Sequence, residues 1–211
     1  MATIQSTPEF DVEDVGSASN VLLLAPSLGS ADSRACTELM SVARPSDQDV
    51  LAVILNDSPD EWLDDWQREV GPERPAKTSF VTAGEDVRSV AAGSAANSAL
   101  PKNMTMHSVS NPSDLTGLGM RISQQLSDWT DDGNRIVVDF DSLTTLLEYG
   151  KRERVFKFMH VLKGRMESAN AVAHYHMDPA AHDPQDVNTF KSLMDAIVEI
   201  DEDGACSVSS R

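Results

Sequence analysis

The sequence predicts an α/β fold in which a mostly parallel sheet is flanked by helices and closed at its C-terminal side by an antiparallel edge hairpin. Three observations carry this. Short apolar runs alternate with amphipathic helical patterns along the chain. Several of those runs are continuously apolar, as strands covered on both faces are. Turn and capping residues stand between the two kinds of segment. A length of 211 residues suits one domain with a sizeable core. The expected organisation is a flexible acidic tail over 1–18, one domain over 19–202, and an edge strand or flexible tail over 203–211.

The first strand is expected at Val21 to Ala25, bounded by Asn20 and Pro26, with a helix from about Ser33 to Ala43. Val50 to Leu55 repeats the buried-strand pattern, and Ser58 caps a helix from Pro59 to Val70 that carries acids in its first turn. Phe80 to Thr82 and Met104 to Val109 are strand candidates, and the Ser, Ala and Gly stretch between Gly84 and Ala99 admits either a helix or a loop. Pro112, behind Asn111, is expected at the first position of a helix whose Leu115, Leu118, Ile122, Leu126 and Trp129 recur at helical spacing. After the turn at Asp131 to Gly133 come a strand from Arg135 to Phe140 and a helix from Lys151 to Ser168, with Val155, Met159, Leu162 and Met166 on its buried stripe. A strand at Ala171 to Met177, a helix at Pro184 to Met194 and a strand at Ala196 to Ile200 follow. The Asp203–Gly204 turn can then fold Ala205 to Ser209 back as an edge.

Acidic residues outnumber basic ones 34 to 17, giving a formal charge of −17. Such a surface repels nucleic acid and anionic lipid, and it suits the hydration demands of a halophilic cytoplasm. No apolar run reaches the roughly 20 residues of a membrane span, and the first residues lack the pattern of a signal peptide. A cytoplasmic location is expected. Cys36 and Cys206 show no ligand spacing, so neither a disulfide framework nor a zinc site is indicated.

In a parallel sheet, ligands bind beyond the carboxyl ends of the strands, so the loop after the first strand is the first to read. A working phosphate-binding loop reads G-x-x-x-x-G-K-[ST], with the lysine reaching the terminal phosphates and the hydroxyl holding magnesium. Here the loop is A-P-S-L-G-S-A-D-S. With Ala25 at the first glycine, Ser30 takes the second, Ala31 the lysine and Asp32 the hydroxyl; using Gly29 instead places Ser30 at the lysine. Neither register supplies the cation. Asp32 adds repulsion that Arg34 offsets only in part, and it reads as an ordinary helix cap.

The second half of the signature is R-I-V-V-D-F-D-S-L-T, an apolar strand ending in acids. Asp141, Ser142, Leu143 and Thr144 resemble the D-S-L-T that closes the Walker B strand of RecA/KaiC-like ATPases. From Asp141 to Glu199, including D-S-L-T-T-L-L-E-Y, the H-x-L at His160 and H-Y-H-M-D-P-A-A-H-D, the chain resembles an uncharacterised haloarchaeal family of KaiC relatives that lack the P-loop, sometimes labelled HTR-like. That resemblance implies a RecA-like fold and no established activity. Asp139 and Asp141 share one face of their strand. Asp141 is the one expected at the ligand edge, or retained to cap the helix that follows.

His174 and His176 also share a strand face, with His182 just beyond its end. Three imidazoles near a carboxylate would satisfy zinc, yet the spacing matches no metal motif, and hydrogen-bonded structural histidines are the expectation. Lys151, Arg154, Lys157 and Arg165 fall on one stripe of their helix, a concentration of scarce cations that suits a partner or subunit surface.

The functional expectation is therefore a catalytically inactive domain with a degenerate P-loop, a pseudo-ATPase acting as a cytoplasmic interaction or signalling module. Its partner is another protein or a second copy, without nucleic acid, membrane or a required cofactor. One alternative is a non-standard nucleotide-binding protein or sensor that takes ATP and magnesium through Arg34, Asp141 and the segment from His174 to His182. Another is a metal-dependent hydrolase built on the histidines.

Overall fold

The structure is a computed structural model that describes residues 15, 17–26, 30–83, 101–201 and 205–210, with 30–34 as backbone alone. Eight strands form one sheet: β1 (Asn20–Leu24), β2 (Gln48–Ile54), β3 (Lys77–Ala83), β4 (Met104–Val109), β5 (Arg135–Asp141), β6 (Val172–Met177), β7 (Ala196–Ile200) and β8 (Cys206–Ser210). Their order is β4-β3-β2-β5-β6-β1-β7-β8. Every pairing is parallel except that of β7 with β8. The α/β sheet and its antiparallel edge are as the sequence predicts. The expected Asp203–Gly204 turn, the stretch from Gly84 to Ala99 and most of the expected tail lie outside the described residues. Val15 is buried beside Val21 and Leu23, so packing begins ahead of β1.

Helices α1 (Ser30–Met40) and α2 (Pro59–Glu69) cover one face; α3 (Leu115–Trp129), α4 (Leu143–Tyr149), α5 (Arg152–Ser168) and α6 (Pro184–Lys191) cover the other. Strand alternation divides the core between them. Leu22, Leu51, Val138, Phe140 and Tyr175 join one large cluster with the inner stripes of α3 to α6. Val21, Leu23, Val50, Ala52 and Val137 pack in three smaller clusters under α1 and α2. No described helix is long and apolar enough to cross a membrane.

The boundaries differ from expectation where side chains bond to nearby backbone. The Asn111 carboxamide accepts from Ser113 N–H at 2.9 Å and holds Pro112 in a turn. Helix α3 therefore starts at Leu115, capped by Asp114, whose carboxylate accepts from Gly117 N–H at 2.9 Å. Strand β3 is longer than its apolar run because the polar Thr78, Ser79 and Thr82 are buried with it. Helix α1 lies earlier than Ser33 to Ala43, and α6 stops short of Met194. Helix α4 is the helix expected to follow Asp141, to which the sequence reading assigns no range. It is a seven-residue segment capped by Ser142, and at Gly150 an added Cβ would lie 2.9 Å from the Leu146 carbonyl and from Val155.

At the amino edge of the sheet, Asn134 donates to Asp49 at 3.1 Å, while Lys77 stands 3.7 Å from Asp49 and pairs with Asp132. The Asp49 side chain is fully buried; burial, reinforced by Asp132 and only partly offset by Asn134 and Lys77, pushes its carboxyl up to about 6. Unfolded aspartate titrates near about 4. The folded chain thus holds the proton through the interval between those values, and this group weakens the fold as pH rises from about 4 to 6. Denaturation across that interval should show a fall in stability that Asp49→Asn removes; an unchanged pH slope in the variant would contradict the assignment.

Candidate functional site

The carboxyl ends of β2, β5 and β6 open into a cavity of about 270 Å³, closed over by α1 and α2. Its floor comes from register. Asp139 lies opposite His174, and one step on the same face brings Asp141 beside His176. Two carboxylates and two imidazoles therefore meet on one face of the sheet. Asp139 and His174 are 6% and 1% exposed, so water does not satisfy their polar groups.

Protein groups meet them instead. Trp62 on α2 donates its indole N–H to Asp139 Oδ2 at 2.7 Å, and His174 Nε2 stands 2.8 Å from Oδ1. The His174 approach is a close electrostatic contact, off the line of a good hydrogen bond, and neither ring nitrogen has a hydrogen-bond partner among the described residues. Burial raises the Asp139 carboxyl, but the electrostatic attraction of His174, with the Trp62 N–H, outweighs it and holds the group below the usual carboxylate range. His176 donates from Nε2 to the Ala25 carbonyl at 3.1 Å and presents Nδ1 to Asp141 Oδ1 at 3.3 Å. It thereby ties the end of β1 to the end of β5.

The rim is acidic. Asp57, Glu61 and Asp65 join Asp139 and Asp141 around the cavity, and no lysine or arginine lines it among the described residues. Burial, followed by the charges of Asp141, Glu61 and Asp65, pushes the Asp57 carboxyl up. Trp62 stacks on Trp66 with ring centroids 5.4 Å apart, forming an aromatic wall.

Both Asp139 and Asp141 thus line the cavity, where sequence reasoning favoured Asp141 alone; the cap of α4 is Ser142, which accepts from Thr145 N–H at 3.2 Å. Asp141 is not the cap because its carboxylate faces His176. The three histidines part company. His182 Nε2 bonds to Thr144 Oγ1 at 3.1 Å, away from the Asp139–His174 pair. No three His, Cys, Asp or Glu side chains gather closely enough to hold a metal among the described residues. Gly29 and the side chains of Ser30, Asp32 and Arg34 lie outside the described residues. Trp62, Asp57 and Cys36 were missed by sequence reasoning. For Trp62 the sequence holds no signal, because its partner Asp139 lies 77 residues further along the chain.

The fold and its edge cavity define an α/β protein with a parallel central sheet and an acidic site at its carboxyl edge. The chain belongs to the family of unknown function DUF7504, whose model matches residues 18–200. No curated protein matches its sequence. Among solved structures it is similar in fold to PH0250 from Pyrococcus horikoshii OT3, at 12% identity and a TM-score of 0.54, covering 92% of this chain and 86% of that one. It is similar also to the uncharacterised protein PH0321 from Pyrococcus horikoshii, solved in complex with an unknown peptide. That match has 13% identity and a TM-score of 0.57, covering 91% and 83%.

Asp139→Ala strands the buried His174 and the Trp62 indole, and should cost about 3 kcal/mol in urea denaturation. Ser142→Ala should cost about 1 kcal/mol through loss of a cap. Because Asp139 is held low, its contribution is complete above about pH 4, the unfolded value, and fades as pH falls through the folded one. A loss under about 1 kcal/mol in Asp139→Ala would show the carboxylate to be dispensable.

Proposed function

We propose that this chain is a catalytically inactive RecA/KaiC-like domain that serves as an interaction or signalling module in a haloarchaeal cytoplasm. The observation that carries this reading is the acidic lining of the carboxyl-edge cavity. A nucleotide triphosphate needs cations or free N–H groups around its phosphates. The described lining offers five carboxylates, and like charges a few Å apart in a partly buried site cost on the order of several kcal/mol. Carboxylate oxygens suit a hard cation such as magnesium, but the nucleotide that would bring it does not fit the site. The resemblance of the D-S-L-T segment to the end of a Walker B strand supports descent from a nucleotide-binding scaffold, and here Ser142 caps α4 while Asp141 meets His176.

A protein of the same fold was solved holding a peptide, which makes a polypeptide the first class of ligand to test. The net charge of −17 supports a high-salt environment and argues against a polyanionic partner.

Calorimetry of the full chain with ATP and magnesium in molar KCl should show no binding tighter than about 100 μM, and a phosphate-release assay no turnover. Tighter binding, abolished by Asp141→Asn, would favour the nucleotide-sensor reading instead.

A further inference from the structure

On the face opposite the cavity, α3 and α5 leave a groove of about 700 Å³ between them. Leu115, Met120, Phe158 and Val161 supply its apolar surface, and Met120 and Val161 are 67% and 61% exposed. Close approach of the helices sets its depth: at Gly119 an added Cβ would already touch Phe158 at 3.4 Å. Arg154, Lys157 and Arg165 line the same groove. Lys151 does not; it stands at the N-cap of α5, so three of the four cations that the sequence groups on this helix converge here.

Those three cations differ from their neighbours. On the same helix Arg152 pairs with Asp186, and Lys163 pairs with Asp195 and, at 3.1 Å, with Glu167. Arg154, Lys157 and Arg165 make no ion pair among the described residues, in a chain with twice as many acids as bases. Among the described residues no carboxylate lines this groove.

We propose that the groove between α3 and α5 receives an acidic amphipathic helix of a partner protein. This rests on the interaction-module reading and names its surface. The stripe from Arg154 to Arg165 spans about 16 Å at 1.5 Å per residue, or three helical turns. A partner helix with apolar residues at i, i+4 and i+7 would seat them against Met120, Phe158 and Val161, and acids on its flanks would reach the cations. A second copy placed symmetrically sets the same three cations against themselves. Nucleic acid faces repulsion from the whole chain and an apolar surface that is largely aliphatic.

The probe is a synthetic helix of about 15 residues with leucines at that spacing and glutamates on both flanks, titrated into the full chain in molar KCl and read by anisotropy; its twin carries glutamine for glutamate. The acidic peptide should bind at least about tenfold tighter than its twin. The double variant Arg154→Glu, Lys157→Glu and the single variant Met120→Glu should each weaken it at least about tenfold, whereas Lys151→Glu should not. Equal binding of the two peptides overturns the proposal without needing any variant. So do groove variants that bind like wild type, tighter binding of a single-stranded RNA or anionic vesicles, or self-association that Met120→Glu abolishes. ATP turnover with intact peptide discrimination would instead overturn the function proposed above and leave the groove assignment standing.

Discussion

The buried carboxylate of Asp139 is the group to which the α1 and α2 side of the molecule is fitted. An ionised carboxyl inside a sheet is tolerated only where donors meet it. Trp62 must therefore reach down from α2, and His174 must arrive on the adjacent strand in matching register. A slip of one residue in β6 would turn both imidazoles to the other face and set Tyr175 against the acid. The polar pair thus selects one register where Val, Ala and Leu neighbours alone would tolerate several. It also fixes where α2 crosses the sheet, and with it the wall and rim of the cavity.

The two sides of the sheet consequently have different characters. Under α3 to α6 lies one continuous apolar cluster that holds most of the large buried side chains. Under α1 and α2 the apolar contacts are divided into small clusters around the polar pair. Charge follows the same division, with carboxylates crowding the carboxyl edge on one side and, on the other, three cations that make no ion pair among the described residues bordering a groove. Elsewhere, cations are matched within the chain, as Lys77 is by Asp132, Arg152 by Asp186 and Lys191 by Glu199.

Much of the sheet was legible because strands buried on both faces read as unbroken apolar runs, as Val21 to Ala25 and Val50 to Leu55 do. Strand β3 was shortened because Thr78, Ser79 and Thr82 look like surface residues until neighbours cover them. Helix α4 has no legible bounds because two turns show too little periodicity and its cap lies inside a segment that resembles a catalytic signature. The site was half legible. Alternation places Asp139 with Asp141 and His174 with His176, but which strand lies beside which is a long-range fact, and so is the arrival of Trp62. The basic stripe was visible as helical spacing, whereas its apolar companion Met120 comes from another helix.

Strand β1 lies between β6 and β7. Asn20 at its start receives the Tyr175 hydroxyl and donates its backbone N–H to Asp195, 155 and 175 residues further on. On the ribosome, β1 emerges well over a hundred residues before β6 and β7 and has neither of these neighbours until nearly the whole domain has been synthesised. It is a continuous apolar segment in the meantime, and contacts this distant in sequence form slowly. An interior place in the finished sheet is therefore filled late, and the nascent chain must keep Val21 to Leu24 from other strands until β6 and β7 arrive.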